Sequence, residues 1–309
     1  ITGTLTVNAS KTFGEGAASK NVTVSGDVTV NGILDLDRSS SDGNASFGSI
    51  TIASGGTVQA PSHGTITITG ETGGGYAIFN TAGGTFTHNS GTVNIATAGN
   101  NNTLVYGMEG DDVSGAGANA FNHLKVTMTT GYRVNLDPAD GGVSAHVIKG
   151  DLTIVEGLLY PDDHAHTLTV EGDVSVESGG TLGHADRTGA DTFGSLTIAS
   201  GGTYNATSDT TTLTNVAGDD SSVVERYCLH NNGTFTHNNG KIKTARDGLQ
   251  TIFCEAQTNF YDFEFANGAP DNNDNVYIQM DTAHFFTVYN DLTITGGQVR
   301  FYNSDRGIT

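Results

Sequence analysis

Phe47-Gly48-Ser49-Ile50-Thr51-Ile52-Ala53-Ser54-Gly55-Gly56-Thr57 returns 146 residues later as Phe193-Gly194-Ser195-Leu196-Thr197-Ile198-Ala199-Ser200-Gly201-Gly202-Thr203. Apolar residues alternate with Ser and Thr inside this stretch, the period-two pattern of a strand with one buried side, and a Gly-Gly turn closes it. Neighbouring blocks return in the same order. Val24-Ser25-Gly26-Asp27-Val28 reappears as Val170-Glu171-Gly172-Asp173-Val174, and Gly84-Thr85-Phe86-Thr87-His88-Asn89 as Gly233-Thr234-Phe235-Thr236-His237-Asn238. Gly150-Asp151-Leu152-Thr153-Ile154 is echoed by Asn290-Asp291-Leu292-Thr293-Ile294. The offsets drift between 140 and 149, so the chain reads as two copies of one long unit that differ by short insertions.

A finer motif recurs inside each copy: an alternating strand, Gly or Ser-Gly-Gly, Thr, and another apolar residue. Val28 to Leu34, Ile50 to Val58, Leu168 to Val176 and Leu196 to Tyr204 all show it. One such strand-turn unit cannot bury its own apolar side, so successive units must stack. The expected fold is all-β, a right-handed parallel β-helix or β-solenoid. Residues 1–19 form a partial leading coil, 20–165 the first solenoid repeat and 166–309 the second. Coils of ~20–25 residues would make on the order of a dozen turns. Tandem β-sandwich domains are the alternative, disfavoured because Asn-Gly and Asp-Gly hairpin turns are nearly absent.

The bulk numbers narrow the function classes. Among 309 residues there are 43 Gly, 4 Pro and no Trp, an inventory for short strands and glycine turns. Thirty-three acidic against 13 basic residues give a formal charge of −20, which repels phosphate backbones and anionic lipid. No nucleic-acid partner and no membrane insertion are expected; no apolar run reaches the ~18 residues of a spanning helix. Cys228 and Cys254 are the two cysteines, so a single bridge between neighbouring coils is left open and no disulfide framework exists. Ile1-Thr2-Gly3 carries neither an initiator Met nor a basic leader, the look of a processed product or a fragment.

Gly-Thr-Phe-Thr-His-Asn at 84–89 and 233–238, Ser-Leu-Thr-Ile-Ala-Ser-Gly-Gly-Thr at 195–203 and Gly-Asp-Leu-Thr-Ile at 150–154 resemble the repeat vocabulary of large β-solenoid proteins. Such modules occur in structural and fibre proteins of bacteriophages, marine ones especially, and in secreted bacterial surface adhesins. The resemblance covers most of the chain and implies a non-enzymatic fibre, spike, coat or adhesin component at a virion or cell surface. It also implies self-association as a trimer and carries no catalytic residue over; strand-patterned ends at Ile1–Leu5 and Phe301–Tyr302, with no amphipathic helix to cover them, add end-to-end or lateral assembly as an expectation. Cell-surface carbohydrate is the other partner expected, and no cofactor.

The polar clusters set against this scaffold reading are few. Asp162-Asp163-His164-Ala165-His166 offers Asp162, Asp163, His164 and His166 as ligands for zinc or another divalent ion. Asp271-Asn272-Asn273-Asp274-Asn275 and Gly110-Asp111-Asp112 put oxygen ligands in short loops, the chemistry that Ca2+ prefers, with Asp271 and Asp274 its candidates. Asp35 and Asp37, beside Arg38, are the best same-face carboxylates for a polysaccharide-degrading enzyme, the second alternative function. His88 and His237 share one repeat position and read as turn-bonding imidazoles of the scaffold. Thr-x-Thr rows at 4–6, 65–69, 85–87, 210–212 and 234–236 read as outward strand faces. The acidic segments at 99–120, 137–145, 186–191, 215–224 and 267–275 are expected to project as side loops and to carry whatever specific contacts the protein makes.

Overall fold

The computed structural model describes residues 1–14, 21–37, 43–98, 101–108, 119–137, 145–161, 165–217, 227–268, 275–281, 284 and 286–301. All regular structure among them is β, from Leu5–Val7 to Gln298–Phe301. Two compact units divide the chain, Ile1–Asp162 and Asp163–Thr309.

In the first unit one ladder of parallel strands sets Val24 beside Phe47, Phe47 beside Ile68, Ile68 beside Ile95, Ile95 beside Val126 and Val126 beside Ile154. Successive turns therefore take 23, 21, 27, 31 and 28 residues. The second unit repeats the arrangement with Val170, Phe193, Leu213, Thr244, Phe265 and Ile294, in steps of 23, 20, 31, 21 and 29. The chain is a β-solenoid of about 10 turns. That is fewer than the sequence periodicity suggested, because side segments lengthen many coils. Parallel pairing also removes the sandwich alternative, whose neighbouring strands would be antiparallel.

Among the described residues a coil runs through up to three strand segments. The long strands Val22–Val30 and Ala45–Ile52 supply two of them, turning a corner between Val24 and Asp27 in one and at Gly48 in the next. The third ladder stacks Thr12–Gly14, Ile33–Asp35, Thr57–Gln59 and Thr85–Thr87. In the second unit Gly180–Leu182, Thr203–Asn205 and Thr234–Thr236 correspond. Side chains alternate inward and outward, and Val28, Ile50, Ile52, Ile66 and Ile68 are at most 1% exposed. Each such side chain contributes ~1.5–3 kcal/mol by leaving water.

The corner explains the Phe-Gly-Ser of the repeated stretch. Phe47 and Phe193 point inward, while a Cβ on Gly48 would stand 2.8 Å from the carbonyl carbon of Gly26, and one on Gly194 2.3 Å from the oxygen of Gly172. Only glycine lets consecutive corners approach this closely. The hydroxyls of Ser49 and Ser195 then donate to Asp27 and Asp173 one coil back, at 2.8 Å in both units.

Segment 186–191, expected as a projecting loop, is a correction. Arg187 and Asp191 are both fully buried, joined by two 2.8 Å hydrogen bonds between the guanidinium and the carboxylate. Arg187 also donates to the His166 carbonyl at 3.1 Å, and the Tyr204 hydroxyl donates to Asp191 at 3.1 Å and meets Thr211 at 2.8 Å. Burial, then the Asp191 charge, pushes the Tyr204 phenol well above its ordinary value. In the first unit the places of Asp191, Tyr204 and Thr211 hold the buried apolar Ala45, Val58 and Ile66. The sequence missed the cluster because a charged residue next to glycines looks like surface.

Breaking this pair strands a charge inside the coil. Asp191→Ala is expected to cost about 3–5 kcal/mol of stability, and Arg187→Met/Asp191→Ala much less, since the apolar solution already serves the first unit. Denaturant unfolding followed by circular dichroism checks both; equal losses would contradict the account.

Candidate exterior recognition site

Tyr76–Asn80 interrupts the alternation of the second ladder. Tyr76 stands beside Leu104, but Ile78 stands beside Val105 and Phe79 beside Tyr106, so Ala77 is an extra residue in a β-bulge. Residues three apart in a regular strand face opposite sides. Here Ala77 and Ile78 are both fully buried, and Tyr76 and Phe79 emerge together on the outside. Their ring centroids are 4.7 Å apart; Phe79 and Tyr106 are 5.0 Å apart, and Tyr76 and Tyr106 6.0 Å.

The second unit makes the same construction from different residues. Tyr227 stands beside Thr251, Leu229 beside Ile252 and His230 beside Phe253, leaving Cys228 as the bulged residue. Tyr227, His230 and Phe253 then form an outward triad with centroids 5.0, 5.1 and 5.5 Å apart. All six side chains are partly exposed. His230 Nε2 lies 3.0 Å from the Glu255 carboxylate, which orients the imidazole at the edge of its triad.

Each triad belongs to a graded column along the outer side of its ladder. Thr6, Thr29 and Thr51 lead to Phe79 and Tyr106, and Asp137 follows. In the second unit Ser175 and Thr197 lead to His230 and Phe253, and Gln279 follows. Hydroxyls, rings and a carboxylate or amide thus line up in the same order twice. Asn80 and Asn231 anchor the bulged strands from inside, donating to the Gly107 carbonyl at 3.0 Å and to the Thr258 hydroxyl at 2.7 Å.

Tyr106 and Asp137 fall in the segments 99–120 and 137–145 expected to project as loops, but they stand in the ladder strands Asn102–Tyr106 and Arg133–Asp137; the other residues singled out from sequence lie elsewhere. Asp162, Asp163, His164, Asp271, Asp274, Asp111, Asp112 and Arg38 fall outside the described residues. His166 is 4% exposed, and its carbonyl serves the Arg187 cluster. Among the described residues no group of three His, Cys, Asp or Glu side chains is placed to hold a metal ion. Asp35 accepts the Asp37 backbone amide at 3.2 Å, a local turn that ends the strand.

His88 and His237 hold turns, as expected, but their own rather than those of the next coil. Their Nδ1 atoms accept from the amides of Ser90 at 3.2 Å and Asn239 at 2.9 Å. Asn89 and Asn238 reach instead to the preceding coil, donating to the carbonyls of Ala60 and Ala206. Both turns place two consecutive residues at positive φ, which Asn tolerates best among residues with a Cβ. Burial, with Lys149 and His123 nearby, holds His88 below the usual imidazole range.

Compared with known proteins, the chain matches no family model, no curated protein and no solved structure. The geometry of the site therefore carries the functional reading by itself.

Cys228, the bulge residue, and Cys254 are free and buried. Burial pushes both thiols up to about 12. The raised folded-state value means that stability is complete below the unfolded thiol range and falls as pH rises through it toward 12. Neither thiol is expected to react with an aromatic disulfide reagent at neutral pH until the protein unfolds. Stoichiometric labelling of the folded chain would contradict their placement.

Proposed function

We propose that this chain is a non-enzymatic structural and adhesive protein of an exterior surface. The first reading is a fibre, spike or coat component of a virion; a secreted cell-surface adhesin or sheath protein is the alternative. The observation that carries it is the aromatic triad, built twice by the same bulge on the outside of two solenoid units. Rings left partly exposed are costly in water, and clusters of them mark contact surfaces. Their repetition at one ladder position, while the interior changes from Ala45 to Asp191 and from Val58 to Tyr204, supports a surface kept for contact. The acidic exterior supports solubility of a scaffold outside the cell. The polysaccharide-degrading alternative draws no support from Asp35 and Asp37, whose geometry is that of a turn.

At micromolar concentration the protein is expected to sediment as a homo-oligomer and to release no reducing ends from polysaccharides. A monomer that releases them, and loses that activity as Asp35→Asn/Asp37→Asn, would overturn the proposal.

A further inference from the structure

We infer that the two triads are binding subsites for a neutral polysaccharide chain laid along the outer strand faces. The inference rests on the adhesive reading above and names its partner. A sugar ring presents apolar C–H surface with hydroxyls around its rim, and each column offers the complement of both. Phe79 and Phe253 supply apolar ring surface. Tyr76, Tyr106, Tyr227 and His230 add polar edges, and the flanking Thr51, Thr197 and Asp137 extend hydrogen-bonding capacity beyond the rings.

Strand neighbours recur every ~4.8 Å along a ladder. A column of identical backbone spacing thus meets a polymer of identical units better than it meets a folded protein. The bulge strengthens the case, because it gathers three rings where regular alternation would leave two. In the second unit the three rings lie within 36° of parallel.

Charge selects among occupants. At a net −20, an anionic polymer is repelled, whereas an uncharged saccharide is not. The Asp137 and Glu255 carboxylates at the edges of the columns and triads reinforce that choice. They accept hydrogen bonds from hydroxyls and exclude sulfate, phosphate and uronate groups.

Native gel electrophoresis, with and without a soluble neutral polysaccharide in the gel, tests this. A β-glucan, a mannan and a galactomannan serve as probes, with alginate as the anionic comparison. The protein is expected to be retarded by at least one neutral probe and not by alginate. Phe79→Ala/Tyr106→Ala and His230→Ala/Phe253→Ala should each weaken retardation by about tenfold, the size of a binding hot spot. Their combination should abolish it, while Thr67→Ala on the first ladder leaves it unchanged.

The melting temperature of each variant, read by circular dichroism, separates loss of binding from loss of fold. Retardation by none of the neutral probes, by alginate alone, or surviving in the combined variant would overturn the inference. So would triad variants that lower the sedimentation coefficient, which would make the triads a self-association face. Sedimentation of the same samples keeps the two proposals apart. An intact oligomer that binds no saccharide sinks this inference alone, and a monomer that releases reducing ends sinks the structural proposal.

Discussion

In-register parallel stacking governs this molecule: almost every residue has its most important neighbour one coil away. Ile68 rests between Phe47 and Ile95, and Gly48 is held by Gly26. A slip by one residue would turn every inward side chain out. Coil length is nevertheless free to vary, because extra residues leave the ladder between strand segments. Steps from 20 to 31 residues coexist with an unbroken ladder for this reason.

Much of this was legible before any coordinates. Alternation in Ser49-Ile50-Thr51-Ile52 fixed the inward set, and the repeated Phe-Gly-Ser and Thr-His-Asn marked the corners and turns. Two things were not. Arg187 and Asp191 read as loop because charge and nearby glycine ordinarily mean solvent; only the ladder position of Asp191, between Leu168 and Thr211, places it inside. The triads were hidden because a bulge breaks the period on which the reading relied. A faint signal was present, since Tyr76-Ala77-Ile78-Phe79-Asn80 and Tyr227-Cys228-Leu229-His230-Asn231 share their Tyr and Asn five-residue frame. Without the neighbouring strand, nothing in that frame says that its outer residues face the same way.

The two units solve one packing problem in two chemistries and still present the same outer feature. In the first, Ala45 and Val58 stand where the second has the Asp191 carboxylate and the Tyr204 phenol. A buried ion pair such as that of Asp191 with Arg187 adds little net stability over an apolar version, but removing one partner strands the other's charge. Function is therefore better sought on the outside, where bulge, ring triad and hydroxyl column coincide twice, than in the interior or in any single acidic loop.

The bulged register is the claim on which the exterior site stands, and cysteine cross-linking reads it directly. Parallel neighbours ~4.8 Å apart suit a disulfide, whereas positions two coils apart do not. Phe79→Cys/Tyr106→Cys should therefore close an intrachain disulfide on mild oxidation, with the buried native thiols silent, and Thr51→Cys/Tyr106→Cys should not. Failure of the first pair to close, or equal closure of the second, would contradict the register and the site built on it.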